Sequence, residues 1–370
     1  MRSRGGTARQ LTFDHRPIYG AAWTADSKEI VFSSNRAGGG ESLWRIRIAG
    51  GAPRRVSATL WGAYYPAISR QGDRLLYTEA YEDTNTYASD GAGFAGRSAP
   101  GRFSAPRPLV TSSRRDDSPN ISPTGDRIAF VSTRTGDEEI WVCDRNGGYP
   151  RQLTSFGQPV TGTPRWSPDG RWIAFDSVAL GNPNIYVMSP QGGTPRRLTS
   201  GPFGNFMPSW SPDGKRIYFK SDRSGTDQIW WIPAGGGSAT QLTHDGAFEA
   251  FASPDGKLVY FTKRAWGPIW AVPADGGPEK PVSELDRFDR IYRSWGVVGQ
   301  GIYFISKDQS PHQIVRFFSF ATRRVFPLLV LEGELIWNSP NVALSSDGRS
   351  LLIARLDQEV NDLMLVENFH

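Results

Sequence analysis

The stretch Pro164-Arg165-Trp166-Ser167-Pro168-Asp169-Gly170-Arg171-Trp172-Ile173-Ala174-Phe175 decides the fold. Ser-Pro-Asp-Gly is the vocabulary of a tight turn: Pro presets φ, Asp accepts hydrogen bonds from nearby amides, and Gly takes the left-handed position. Before the turn, Pro164 and Trp166 alternate with polar or small residues. After it, Trp172 to Phe175 are of the types that fit a pleated surface, so the turn joins two strands. The same word returns at Ser211-Pro212-Asp213-Gly214 and Ser253-Pro254-Asp255-Gly256, and five degenerate copies begin at Thr24, Ser69, Ser122, Gly296 and Ser345. In all eight, the residue eight positions on is apolar: Phe32, Tyr77, Phe130, Phe175, Phe219, Phe261, Phe304 and Ile353. Successive turns lie 45, 53, 45, 44, 42, 43 and 49 residues apart, mostly within the period of a four-stranded propeller blade.

Two further strands complete each repeat. The third is marked by Leu43-Trp44, Ile140-Trp141, Ile185-Tyr186, Ile229-Trp230 and Ile269-Trp270. Paired glycines such as Gly147-Gly148 or Gly192-Gly193 then turn the chain into a fourth, because glycine permits the positive φ of tight hairpins. Fourth strands close on Arg151-Gln152-Leu153-Thr154, Arg196-Arg197-Leu198-Thr199 and Thr240-Gln241-Leu242-Thr243, and the same words, Arg9-Gln10-Leu11-Thr12, open the chain. Eight first, second and third strands are countable, the last third strand lying near Leu363-Met364-Leu365, but only seven internal fourth strands. Residues 9–12 are therefore expected to pair with the C-terminal blade and close a ring, which removes exposed edges. The expectation is an all-β, eight-bladed propeller of four-stranded antiparallel blades in one domain over residues 1–370. Its blade cores fall at about 18–57, 63–111, 116–154, 160–199, 205–243, 248–283, 290–328 and 339–369 plus 9–12.

Composition narrows the class. With 41 Gly, 27 Pro and 12% aromatic residues the chain is turn-rich yet able to fill layers between sheets. No apolar run approaches the roughly 20 residues of a membrane span, and Met1 to Arg9 lacks the apolar core of a secretory signal. A periplasmic location is expected if an upstream membrane segment exists, and a cytoplasmic one if Met1 is the native start. The single cysteine, Cys143, beside Trp141 in a third strand, reads as a small buried hydrophobe. A net charge of +5 permits weak attraction to acidic partners without requiring it. Arg97, Arg102, Arg107, Arg114 and Arg115 cluster in and after an insertion, where Ala88 to Pro106 is expected as a mobile loop; direct nucleic-acid binding is not expected.

Motifs for chemistry are missing. The four histidines, His15, His244, His312 and His370, are scattered, and the chain has no Gly-x-Ser-x-Gly, His-Glu-x-x-His or phosphate-binding glycine loop. No catalytic residue, metal or cofactor is expected. Function is left to the channel lined by first strands. Aligned near the fourth position before each turn, the candidates for ligand binding are Tyr19, Tyr65, Asp117, Thr163, Met207, Glu249, Tyr292, Arg293 and Asn341. They differ from blade to blade, as the lining of a site for one asymmetric ligand would. A second set, Arg36, Arg134 and Arg223, each four residues after a second-strand aromatic, could bind an anion; its fixed repeat position argues more for a bond within the blade structure, with Asp137, Glu138, Asp222 and Asp227 as nearby partners.

The words Ser-Pro-Asp-Gly, Ile-Trp and Arg-Gln-Leu-Thr resemble the propeller repeat of the TolB family and of prolyl oligopeptidase and dipeptidyl peptidase enzymes. More narrowly, Arg9 to Asp14, Ile140 to Asp144 and Asp362 to Phe369 resemble the C-terminal propeller of bacterial winged-helix transcriptional regulators. That resemblance implies a sensor or docking module with a protein or peptide ligand at the channel mouth, and carries over no catalytic residue. The chain is accordingly expected to be a non-enzymatic recognition module and a monomer. The alternatives are the gating propeller of a prolyl-oligopeptidase-like peptidase, a propeller hydrolase or lyase, or an oligomerisation scaffold.

Overall fold

The computed structural model describes residues 7–13, 17–34, 36, 41–57, 62–94, 96–97, 99–157, 160–179, 181–288, 290–307, 312–333, 335 and 339–369; the side chains of residues 81 and 290–292 lie outside the description. The described chain is all β apart from one 3-10 turn, Ser283–Leu285. All eight inner strands demanded by the repeat are present. They fall into two compact units, residues 83–357 and residues 1–82 with 358–370.

In the larger unit, five blades follow one another along the chain. Their inner strands are Asp116–Ile121, Thr161–Trp166, Asn205–Trp210, Glu249–Ala252 and Arg290–Val298, each the start of a four-stranded antiparallel sheet laid out in chain order. The sixth blade is composite. Val342–Leu344 and the part of Ser350–Glu367 before residue 358 form its inner half, and the part of Arg74–Asp90 after residue 82 and Arg107–Val110 its outer half. The six inner strands neighbour one another in cyclic order, with Val342–Leu344 beside both Asp116–Ile121 and Arg290–Val298. The ring's core lies between blades, where second-strand aromatics such as Phe130, Phe219 and Phe304 are wholly buried. Each such side chain contributes on the order of 1.5–3 kcal/mol through burial.

The smaller unit holds the first repeat as a complete sheet, Tyr19–Trp23, Glu29–Ser34, Ser42–Arg47 and Arg54–Arg55. It also holds Ala63–Ile68 with the remaining parts of Arg74–Asp90 and Ser350–Glu367. Val31, Leu43, Leu75, Tyr77 and Phe369 make its core.

The closing strand differs from the expectation. Residues 7–12 form no strand, and Ser350–Glu367 pairs with Val342–Leu344 and Arg74–Asp90 instead. The physical reason is the want of a turn. Residues 80–85 and 356–362 contain neither Gly nor Pro, so each second strand runs straight on where a hairpin to the third was expected. Residues 9–12 nonetheless keep the side-chain bonds of their motif. Gln10 donates to the Thr12 carbonyl at 2.8 Å, as Gln152 does to Thr154 and Gln241 to Thr243. Arg9 donates to the Ile48 carbonyl in the turn after a third strand, as Arg151 does to Pro190 and Arg196 to Ala234. Arg151 and Arg196 in this way tie one blade to the next.

Two smaller corrections follow. Gly296 does not start a turn; it lies inside Arg290–Val298, and the hairpin runs from Val298 to Gly301. A side chain at Gly296 would collide with the Tyr303 hydroxyl, which explains the glycine. The insertion at residues 88–106 is a packed element: Phe94, Ala99 and Phe103 are buried, and Phe94 meets the ring of Phe317 at 5.5 Å.

Candidate ligand site in the six-bladed unit

The inner strands carry a repeated irregularity. In the larger unit, register shifts fall between Asp117 and Asn120, Gly162 and Arg165, Phe206 and Ser209, and Arg290 and Trp295. Within those steps Ser118, Thr163, Met207 and Arg293 have φ of 52°, 53°, 56° and 52°. A β-bulge with a left-handed residue re-aims the side chains around it, and for a residue with a Cβ this backbone is strained. Strand alternation alone therefore does not say which candidates share a surface. In the seventh repeat the bulge residue is Arg293, not Tyr292, because its hairpin is displaced from the Gly296 position. The Tyr292 side chain lies outside the described residues.

Four candidates and two neighbours converge in the ring. Arg293 donates to Thr163 Oγ1 at 2.8 Å. These residues come from repeats three places apart in a ring of six, so the side chain reaches across the ring's middle. Glu249 Oε1 lies 3.6 Å from Arg293 Nη2 and 3.6 Å from Arg165 Nη2. Asp176 Oδ1 accepts from the Met207 amide at 3.0 Å. Arg165 is also stacked 5.5 Å from the centre of Phe251. Glu249 is 2% exposed, and Asp176, Arg165 and Arg293 are buried with it. Neither Glu249 oxygen, nor Arg165 Nε, has a hydrogen-bond partner in the structure. Burial pushes both carboxyls up, with the two guanidiniums opposing it, and pushes Arg165 down.

The remaining candidates separate. Asp117 accepts from Arg115, whose Nη1 reaches Glu138 at 3.0 Å and whose Nη2 reaches Ser339 at 2.6 Å. Asn341 donates to Ser294 at 3.2 Å, joining adjacent inner strands. Tyr19 and Tyr65 belong to the smaller unit, where Tyr64 packs against both rings. The arginine set is engaged inside its own blades. Arg134 Nη2 donates to Asp116 at 2.7 Å and Arg223 Nη2 to Asn205 at 2.5 Å, each lying over a second-strand Phe and a third-strand Trp. Arg36 lies likewise over Phe32 and Trp44. These contacts hold the three guanidiniums against the rings of their own blades.

Arg165, Asp176 and Lys220 were missed. Lys220 sits 5.1 Å from the centre of Phe206 and 4.8 Å from that of Phe248 while pairing with Asp227 at 2.9 Å. The available signal was the position after the second-strand aromatic. There Asp176 and Lys220 stand where other repeats place Ser33, Val131 or Thr262.

Residues 104–284, which include the first four of these inner strands, match the family described as TolB beta propeller domain. The likeness to that family covers just under half of the chain. An uncharacterized protein of Agrobacterium fabrum is 34% identical over 132 residues, a match spanning 34% of this chain and 43% of that one. The solved structure of a putative TolB from Agrobacterium tumefaciens aligns with a TM-score of 0.60 at 23% identity, covering 74% of this chain and 99% of that chain. A puromycin-hydrolyzing peptidase of Mycobacterium tuberculosis aligns at a TM-score of 0.48 and 14% identity, over 87% of this chain and 54% of its own. The TolB-like likeness extends to the fold. No helix among the described residues is long and apolar enough to cross a membrane.

Proposed function

We propose that the six-bladed unit is a non-catalytic recognition module that takes a protein, peptide or small ligand in its channel, on the cluster of Arg165, Glu249, Arg293 and Thr163. The observation that carries this reading is the state of Glu249. A buried carboxylate between two guanidiniums, with hydrogen bonds to neither oxygen, is costly unless a further group completes it. The open valences are acceptors on Glu249 and a donor on Arg165. They suit a ligand that offers N–H and C=O together, as a peptide group does. Supply of these groups by different residues from different blades favours one asymmetric ligand over a symmetric one.

Service as the sensory part of a bacterial regulator rests on the resemblance of Arg9 to Asp14, Ile140 to Asp144 and Asp362 to Phe369 alone. The enzymatic alternative, the gating propeller of a peptidase or a propeller hydrolase or lyase, predicts an adjoining α/β hydrolase domain or a cluster of His, Asp and Arg at the channel. Selection of displayed random peptides on the intact chain, with counter-selection on Glu249→Gln, tests the proposal. Peptides that require Glu249 support it. If every selected peptide binds the variant equally well, the channel is not the site.

A further inference from the structure

The smaller unit contains a cavity of about 590 Å³ lined by Asp26, Ser27, Lys28, Glu29, Arg45, Arg47, Ile48, Ala49 and Arg54. Four cations there face two carboxylates. Asp26 is engaged locally by Thr24 Oγ1 and the Lys28 amide, which leaves Glu29 to serve three arginines. Arg45 Nε donates to Glu29 Oε2 at 2.6 Å, Arg54 Nη2 to Oε1 at 3.2 Å, and Arg47 Nε lies 3.5 Å from Oε1. Glu29 is nearly buried, whereas Arg47 and Arg54 are more than half exposed. One carboxylate at the base thus fixes the guanidiniums, and the side chains of Arg47 and Arg54 face outward.

Three guanidiniums carry more positive charge than Glu29 cancels. The strand register puts Arg45 directly opposite Arg54, and like charges at opposed positions are destabilising. Elsewhere the position after the third-strand aromatic, here Arg45, is apolar: Val142, Val187, Trp231 and Ala271. Cavities built from the corresponding turns in the larger unit carry other charge. One of about 610 Å³ balances Arg171 and Arg196 against Asp169 and Asp213, and one of about 470 Å³ sets Arg216 among Asp213, Asp255 and Asp275. The first repeat alone among these concentrates positive charge.

We propose that the cavity around Arg45, Arg47 and Arg54 binds a doubly charged oxyanion, phosphate either free or as a monoester. Planar guanidiniums match two phosphate oxygens at once, and a bound anion offsets the positive charge that Glu29 alone leaves uncancelled among Arg45, Arg47 and Arg54. This site is independent of the channel. Titration calorimetry of the whole chain with inorganic phosphate, and separately with phosphoserine, at fixed ionic strength tests it. At least one is expected to bind saturably, and the tighter of the two names the source. The double variant Arg47→Ala/Arg54→Ala is expected to weaken binding at least tenfold with an unchanged melting temperature in phosphate-free buffer. Arg171→Ala, in the charge-balanced cavity, is expected to leave binding unchanged. Binding no stronger than that of chloride at equal ionic strength, or equal binding by the double variant, overturns the proposal.

Discussion

The turn after each inner strand and the bulge within it are a few residues apart, yet the repeat treats them in opposite ways. At the turns both residues and bonds recur. Ser167, Ser211 and Ser253 each donate to the Asp two positions on at 2.6 Å and accept the amide five positions on at 2.8–2.9 Å. Gly170, Gly214 and Gly256 all take φ near 70°. At the bulges only the backbone recurs: Ser118, Thr163, Met207 and Arg293 share φ near 53° and nothing else. The turn is held by its own side chains, so its sequence is constrained. The bulge is held by the ladder on either side, so its side chain is released for a task that differs from blade to blade.

The largest test of this contrast is at Glu249. Glu249 lies in a regular ladder opposite Thr262, and were the inner-strand lining merely tolerant, Glu249→Ala would cost little. Because Arg165 and Arg293 would then be buried without a counter-charge, a loss of about 3–5 kcal/mol is expected in urea unfolding. A loss below about 1 kcal/mol would mean that the two arginines find water or other partners and that the cluster is no designed site.

The turns are open to a graded version of the same test. Gly125 and Gly348 share φ of 73° and 70°, but a Cβ at Gly125 meets open space while one at Gly348 lies 2.8 Å from the Phe94 ring. Gly125→Ala is expected to cost about 1–2 kcal/mol from the left-handed backbone alone, and Gly348→Ala measurably more. Equal losses by thermal melting would show that the insertion carrying Phe94 yields, against the packed role assigned to it. In the first repeat the turn has Ser27 where others have glycine, at φ 57°. Ser27→Gly is expected to stabilise the chain by up to about 1 kcal/mol, a gain that no bulge position offers by the same exchange if side-chain chemistry is what those positions supply.

These cases mark how far the sequence could be read. Seven of the eight turns, the strands beside them and the blade-to-blade arginine were legible because each is fixed by residues close in sequence. Arg9 carries its clamp even though no strand forms around it. The closing strand was not legible, because it depends on a turn that residues 80–85 fail to supply, and the want of Gly or Pro is a weaker signal than their presence. Of the site, Thr163, Met207, Glu249 and Arg293 were found by alignment to the turn. Arg165 was not, since the bulge shifts the pleat and brings in a residue that strict alternation assigns to another face, and Asp176 was not, since it lies on the second strand outside that alignment.

The smallest expected effect is one of sign. In the turn, the Ser167 hydroxyl first, then the Arg171 amide, hold the Asp169 carboxyl down to about 2, and the same bonds lower Asp213 and Asp255. A carboxyl with a depressed folded-state value contributes stability that is present above its unfolded value, near 4, and is lost as pH falls toward 2. Glu249 is shifted the other way by burial, so its ionisation opposes folding, and its protonation on acidification favours the folded state. Asp169 is largely solvated, so Asp169→Asn should lower stability only slightly at neutral pH. That difference from the unmodified chain should close between pH 4 and pH 2. Glu249→Gln should differ from the unmodified chain with the opposite pH trend. Parallel pH profiles for the two variants would remove the distinction between turn and channel carboxylates, because both would then be answering to solvent rather than to the bonds and burial that separate them.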